Sequence, residues 1–292
     1  MSDEGPLLAG DAGSGPTASS SSIGAIDCWV NPFTPEIAGT QRPEFLVRVA
    51  TDYFHRADEV FKGTPLDEMV GLMEASGIAA GLLTIDAANP GPMAEAAAKY
   101  GARFLLSAVV DPTQGMHAVR TVEHLVREFD VRLIRMIPFL INKPPNDKVY
   151  YPVYAKCVEL GVAASVTTGI PGPPMPAEPQ RPLYLDEVCL FFPDLVMVMA
   201  HGADPWWGEA IRLLLKYPNL YMMTSAYLPK YLPAELIQFM NTRGSDKVLF
   251  ATDFPFLPFD RCIESARALE LRPGVLQRYV RDNARRVFRF AS

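Results

Sequence analysis

Residues 195–204 read LVMVMAHGAD, and residues 247–255 read KVLFATDFP. Each is a short apolar run, rich in β-formers, that ends on a chemically active side chain. Such a run, bounded by polar residues, Gly or Pro, reads as a strand buried on both faces. Working outward, six more runs of this kind appear: 23–30 (IGAIDCWV), 78–85 (IAAGLLTI), 103–110 (RFLLSAVV), 131–138 (VRLIRMIP), 161–167 (GVAASVT) and 220–224 (LYMMT). Between them lie stretches with helical spacing. Residues 65–76 place Met69, Leu72 and Met73 on one face, and MAEAAAKY, MHAVRTVEHLVREF, YYPVYAKCVEL, LYLDEVCLFF, PWWGEAIRLLLKY and LPAELIQFMNT follow. GVLQRYVRDNARRVF closes the chain as a last helix. Strands alternating with helices of 10–15 residues imply βαβ units and a parallel sheet. Eight units in about 270 residues is the arithmetic of a single (β/α)₈ TIM barrel. A doubly wound open sheet is the competitor, but no GxGxxG follows any strand, so nothing supports a dinucleotide site.

Composition narrows the class. The 292 residues carry 27 Lys and Arg against 33 Asp and Glu, a formal charge of −6. That balance offers no field to attract nucleic acid or an anionic membrane. No apolar run approaches the ~18 residues needed to span a bilayer. Cys28, Cys157, Cys189 and Cys262 are scattered, without a CxxC pair, which suggests neither disulfides nor a zinc ribbon and fits a reducing cytoplasm. Residues 1–22, rich in Gly, Ser and Pro, read as a disordered tail rather than a secretory signal, leaving 23–292 as the barrel domain. The Pro-rich stretch 170–182 follows strand five directly. It reads as an active-site loop on the face where barrels do their chemistry.

Four histidines are present. His117 and His124 share one face of a helix remote from the barrel mouth, and His55 stands in an unassigned segment. His201 ends strand six, with Gly202 beside it, and Asp253 ends strand eight. Both have the address of catalytic groups in a barrel. They are the expected acid/base pair, with the carboxylate orienting the imidazole. Strict alternation on strand one puts Asp27, Trp29 and Asn31 on one face and turns Cys28 away. Arg135, in mid-strand, needs a carboxylate partner or an anionic ligand. Tyr150, Tyr151 and Arg181 are further polar groups expected near the mouth.

These pieces, in order, resemble the amidohydrolase-related family that includes aminocarboxymuconate-semialdehyde decarboxylase. AIDCWVN, IRMIPFLINKPPND, VMAHGADPWWGEAI, NLYMMTSAY, DKVLFATDFPF and DNARRVF carry the resemblance over residues 23–290. It implies a TIM barrel, a hydrolase or carboxy-lyase, and one divalent metal, usually zinc. The family's ligands are an HxH on strand one, a His on strand five and an Asp on strand eight, with a strand-six His beside them. His201 and Asp253 match. Trp29 and Asn31 stand where the HxH belongs, and Thr167 stands at or beside the strand-five position. A catalytic zinc wants three protein ligands, so no cofactor is expected. Any metal present would rest on Asp253, His201, Asn31 and Asp27. The expected function is metal-free hydrolysis or decarboxylation of a small carboxylated or unsaturated substrate. Arg135 or Arg181 would hold its carboxylate, Trp29 would stack on it, and Asn31 and Thr167 would line its site. A non-catalytic small-molecule-binding or partner barrel is the alternative. The resemblance also allows a homodimer.

Overall fold

The computed structural model describes residues 24–40 and 43–290; the tail expected over residues 1–22 lies outside them. Eight parallel strands form one sheet in the order of the chain. They are β1 (Ala25–Val30), β2 (Ile78–Ile85), β3 (Phe104–Val109), β4 (Val131–Met136), β5 (Ala163–Thr167), β6 (Met197–Ala200), β7 (Leu220–Met223) and β8 (Val248–Leu249). The sheet closes where Cys28 N donates to Phe250 O at 3.0 Å and Asp253 N donates to Trp29 O at 3.1 Å. The result is the TIM barrel that the alternation of runs and helical patterns implies.

Side-chain alternation divides the core in two. Ala25, Leu83, Ile134, Val166, Met199 and Met222 pack outward against the helices. Leu82, Leu133, Val198, Met223, Leu249 and Ala251 fill the inside. Ala284, Phe288 and Phe290 join this inner cluster together with residues at the strand starts, so the chain's last turn plugs the bottom of the barrel. The helix Met116–Phe129 shows why its sequence folds as it does. Ala118, Val119, Val122 and Leu125 recur at helical spacing and are all buried, and Asp130 ends it in the left-handed region at φ 51°.

Three features depart from the sequence reading. The helix Phe259–Arg267 adds to the elements expected from the sequence, with Phe259, Cys262, Ile263 and Ala266 as its buried stripe. The unassigned stretch after β1 folds into the short helices Pro35–Thr40, Glu44–Arg48 and Ala57–Lys62, with a π-type turn over Val49–Tyr53. Residues of this stretch roof the barrel mouth. The third departure is in β1 itself. Asp27 pairs with Gly81 and Val30 pairs with Leu83, with a register shift between. One extra residue is therefore accommodated on β1, which is a β-bulge. Cys28 and Trp29 both join the inner cluster, so Cys28 is not turned away.

Asp27 does not share the inner face with Trp29 and Asn31. It is fully buried and ties β1 to the end of β8. Its Oδ1 accepts from Trp29 N and Thr252 N, both at 3.0 Å, and its Oδ2 accepts from Thr252 Oγ1 at 2.5 Å. Thr252 Oγ1 in turn accepts from Phe254 N at 3.0 Å. Asp27→Ala would leave three buried donors without an acceptor, at about 1–3 kcal/mol each. The expected loss is at least ~3 kcal/mol of folding stability, measured by urea denaturation.

Candidate active site

The C-terminal ends of the strands open into a cavity of about 640 Å³. Its wall includes Asn31, Thr84, Arg135, Thr167, His201 and Asp253, one from the end or interior of each of six strands or the loops that follow them. Ile170, Pro171, Gly172, Pro173 and Gln180 line it too, so the Pro-rich stretch does lie at the mouth. All four cysteines are free and buried, and none of them lines the cavity.

His201 and Asp253 both stand in the left-handed region, at φ 67° and 68°. Non-glycine residues hold such a conformation only where the surroundings enforce it. Gly202 follows His201 at φ 66°, and a Cβ there would sit 2.3 Å from the Trp207 ring. His201 is oriented by Ser225, not by Asp253 as the sequence reading had it. Ser225 Oγ accepts from His201 N at 3.1 Å and lies 2.8 Å from Nδ1. Burial, helped by the Arg135 charge, lowers the imidazole to about 4, so it is neutral at physiological pH.

Asp253 is held by Asn31, whose Nδ2 donates to Asp253 Oδ1 at 3.0 Å and to Phe254 O at 3.1 Å. The Asn31 Oδ1 accepts from Thr84 Oγ1 at 2.9 Å. Desolvation raises the Asp253 carboxyl to about 8, against the opposing pull of Asn31 and Arg135. Two titratable groups on one cavity floor are thus pushed in opposite directions, each toward its uncharged form by burial.

Arg135 borders the cavity without opening onto it. It has 0% exposure, and the Trp29 ring centroid lies 3.7 Å from its Cζ. Its Nη1 donates to Thr84 Oγ1 at 2.5 Å and its Nη2 to Cys28 O at 3.4 Å. Desolvation lowers the guanidinium to about 9, with Asp253 and then Asp27 opposing. The buried carboxylate that the sequence demanded is present, but no open anion anchor is. Trp29 is likewise only 5% exposed, wedged between Arg135 and the His201 ring, whose centroid is 4.6 Å away. It is not a free stacking platform.

The remaining expected site residues scatter. Thr167 lines the cavity, but its hydroxyl is spent on Gln180 Oε1. Arg181 does not line the cavity; its Nε and Nη2 grip the Glu209 carboxylate at 3.1 and 2.6 Å. Asp27 is absent from the wall, as are Tyr150, which donates to Lys143 O, and Tyr151, which packs on Phe192. His55, His117 and His124 are exposed and away from it. Three residues were missed: Thr84, Gln180 and Ser225. Ser225 lies within the quoted NLYMMTSAY stretch just after β7, where a polar side chain at a strand end was the available signal.

An eight-stranded barrel with a polar floor at its strand ends, beneath an apolar roof, is a TIM barrel whose cavity lies on the face where barrel enzymes keep their active sites. The amidohydrolase family profile matches residues 26–290, and the chain belongs to the amidohydrolase family. Among solved structures, an uncharacterized TIM-barrel protein from Bordetella bronchiseptica is 24% identical, with 90% of this chain and 97% of that one covered and a TM-score of 0.72. A 5-carboxyvanillate decarboxylase from Novosphingobium aromaticivorans, complexed with manganese, is 14% identical over 91% and 96% of the two chains, with a TM-score of 0.66. A putative 2-pyrone-4,6-dicarboxylic acid hydrolase from Pseudomonas putida is 16% identical over 92% and 99%, with a TM-score of 0.65. Among curated proteins none matches the chain.

The metal that the family implies does not fit the residues present. Among the described residues no group of three His, Cys, Asp or Glu side chains is placed to hold an ion. Trp29 offers no in-plane lone pair, Asn31 Oδ1 is committed to Thr84, and the Thr167 hydroxyl is committed to Gln180. The Arg135 guanidinium already supplies a positive charge next to Asp253. Protein purified without chelator is expected to carry less than about a tenth of an equivalent of zinc or manganese by elemental mass spectrometry. A full equivalent would show that another ligand set forms.

Proposed function

We propose that the chain is a metal-independent hydrolase of the amidohydrolase family, acting on an ester or lactone of a small unsaturated or aromatic compound. The observation that carries this reading is the pairing of a Ser225-held neutral imidazole with an Asn31-held carboxyl of raised pKa on one cavity floor. The neighbour named as a putative pyrone dicarboxylic acid hydrolase supports hydrolysis.

The roles follow from the hydrogen bonds. Ser225 Oγ accepts from the His201 backbone N–H and has one proton of its own to give. We assign that proton to Nδ1, which leaves Nε2–H as a neutral donor toward the cavity. Asp253, in its ionised form, takes a proton from water. The water oxygen forms a bond to the substrate carbonyl carbon, and the carbonyl oxygen takes up the displaced electron pair. His201 Nε2–H holds that oxyanion. A neutral donor of low pKa suits the task, because it keeps its hydrogen while polarising the carbonyl. Collapse then breaks the carbon–oxygen bond to the leaving group, and the Asp253 proton passes to the departing alkoxide. The carboxylate is regenerated, and no co-reactant beyond water is needed. Amides are poorer substrates here, since no Lewis acid assists the departure of an amine.

The pH dependence follows in sign. The base must be ionised, and its carboxyl is raised to about 8. Below that pH kcat/KM should fall about tenfold per pH unit, and above it should level. Asp253→Asn should abolish this limb and lower kcat by about 10²–10⁴. His201→Ala should lower kcat by about 10²–10³ with the limb retained. p-Nitrophenyl acetate and dihydrocoumarin, with EDTA present, are the first substrates to assay. Turnover abolished by EDTA would remove the metal-free mechanism. No turnover of any ester or lactone, with ligand binding unaffected by either substitution, would favour the non-catalytic barrel.

A further inference from the structure

The charges around the cavity are arranged unevenly. Its wall carries the carboxyl groups of Asp86, Asp111 and Asp253, and one cationic side chain, Arg135, among the described residues. Asp86 is exposed at the start of the loop after β2, where its Oδ1 accepts from Ala88 N at 2.9 Å. Asp111 stands after β3, with Oδ1 accepting from Thr113 N at 2.9 Å. An anion that enters therefore passes two rim carboxylates and meets no accessible cation. The guanidinium beneath is sealed. Trp29 lies across it, the side chain has no exposed surface, Nη1 and Nη2 each already donate one hydrogen bond, and the unpartnered Nε is itself buried. Most of the remaining wall is apolar, with Phe33, Phe45, Val49, Phe54, Ile137 and Phe139 facing the space.

We propose that Trp29 is a charge filter: by covering Arg135 it makes the cavity select an uncharged, flat, apolar substrate over a carboxylate of the same shape. The inference rests on the hydrolase reading and names the substrate class of that site, a neutral aromatic or unsaturated ester or lactone. Moving a carboxylate into an apolar cavity is costly unless a cation or a set of donors receives it. A bidentate Arg–carboxylate contact would offset that cost, but only if the indole moved aside. Discrimination thus comes from a blocked contact and repulsive rim charges rather than from a contact to the favoured ligand.

The test is binding, measured by isothermal titration calorimetry at pH 7.5 with 2-naphthamide and 2-naphthoate, two ligands of the same shape that differ by one charge. Wild-type protein is expected to bind the amide at least about tenfold more tightly, a difference of about 1.4 kcal/mol. Trp29→Ala should raise naphthoate affinity about tenfold or more relative to the amide. Trp29→Phe, which keeps an aromatic cover, should retain the wild-type preference. Arg135→Met added to Trp29→Ala should erase the gain. Circular dichroism melts check that each variant folds, and the wild-type comparison decides alone if Trp29→Ala does not fold. The proposal is overturned if the wild type binds naphthoate as tightly as the amide or more so. It fails as well if folded Trp29→Ala leaves the ratio unchanged, or if neither ligand binds. Because no turnover is measured, a failure of the hydrolase mechanism would show separately, in the ester assays.

Discussion

The site depends on a buried guanidinium. Arg135 sits one residue before the end of β4 with no exposed surface, and a buried cation is tolerable only where carboxylates and hydrogen-bond acceptors surround it. Each neighbour it recruits is then fixed in turn. Thr84 on β2 accepts from Nη1 and donates onward to Asn31. Asn31 spends its amide hydrogens on Asp253 and on the backbone of the same loop. Trp29 closes the top of the charge. One side chain in the interior thereby sets the placement of residues from β1, β2 and β8, and through Trp29 it touches the environment of His201.

The same arrangement occupies the strand-one positions that the family resemblance gives to metal ligands. In a metal site the cation is an ion held by imidazoles. In this chain a covalently held cation, Arg135, is buried beside the site: the Trp29 indole stacks on it, and Asn31 relays hydrogen bonds from Thr84 to Asp253. Arg135 places a positive charge next to Asp253. In the hydrolase reading proposed above, the neutral His201 imidazole and the Asp253 carboxyl of raised pKa are the pair that would activate water for attack on an already reactive carbonyl.

Loops supply the other half of the site. The short helices between β1 and β2 and the Pro-rich stretch after β5 converge over the strand ends and give the cavity its apolar roof. Barrel enzymes vary in this layer while their strands stay constant. Neither loop follows a simple periodicity. The Pro-rich loop nevertheless lines the cavity from its position directly after β5, and it brings Gln180 against Thr167.

The sequence by itself determined the barrel, because eight apolar runs alternating with helical stripes leave few other ways to bury both faces of every strand. It also singled out His201 and Asp253, since each is the first polar group beyond such a run. The tertiary structure alone decided what the other polar residues do. A bulge in β1, invisible to a rule of strict alternation, brought Cys28 inside and left Asp27 to bridge β1 and β8. Glu209 drew Arg181 away, twenty-eight residues along the chain. Ser225, rather than Asp253, came to orient His201, and Trp29 came to cover Arg135. These outcomes depend on the register of pairing and on which distant side chains share a buried space, and neither is written in the spacing of residues along one chain.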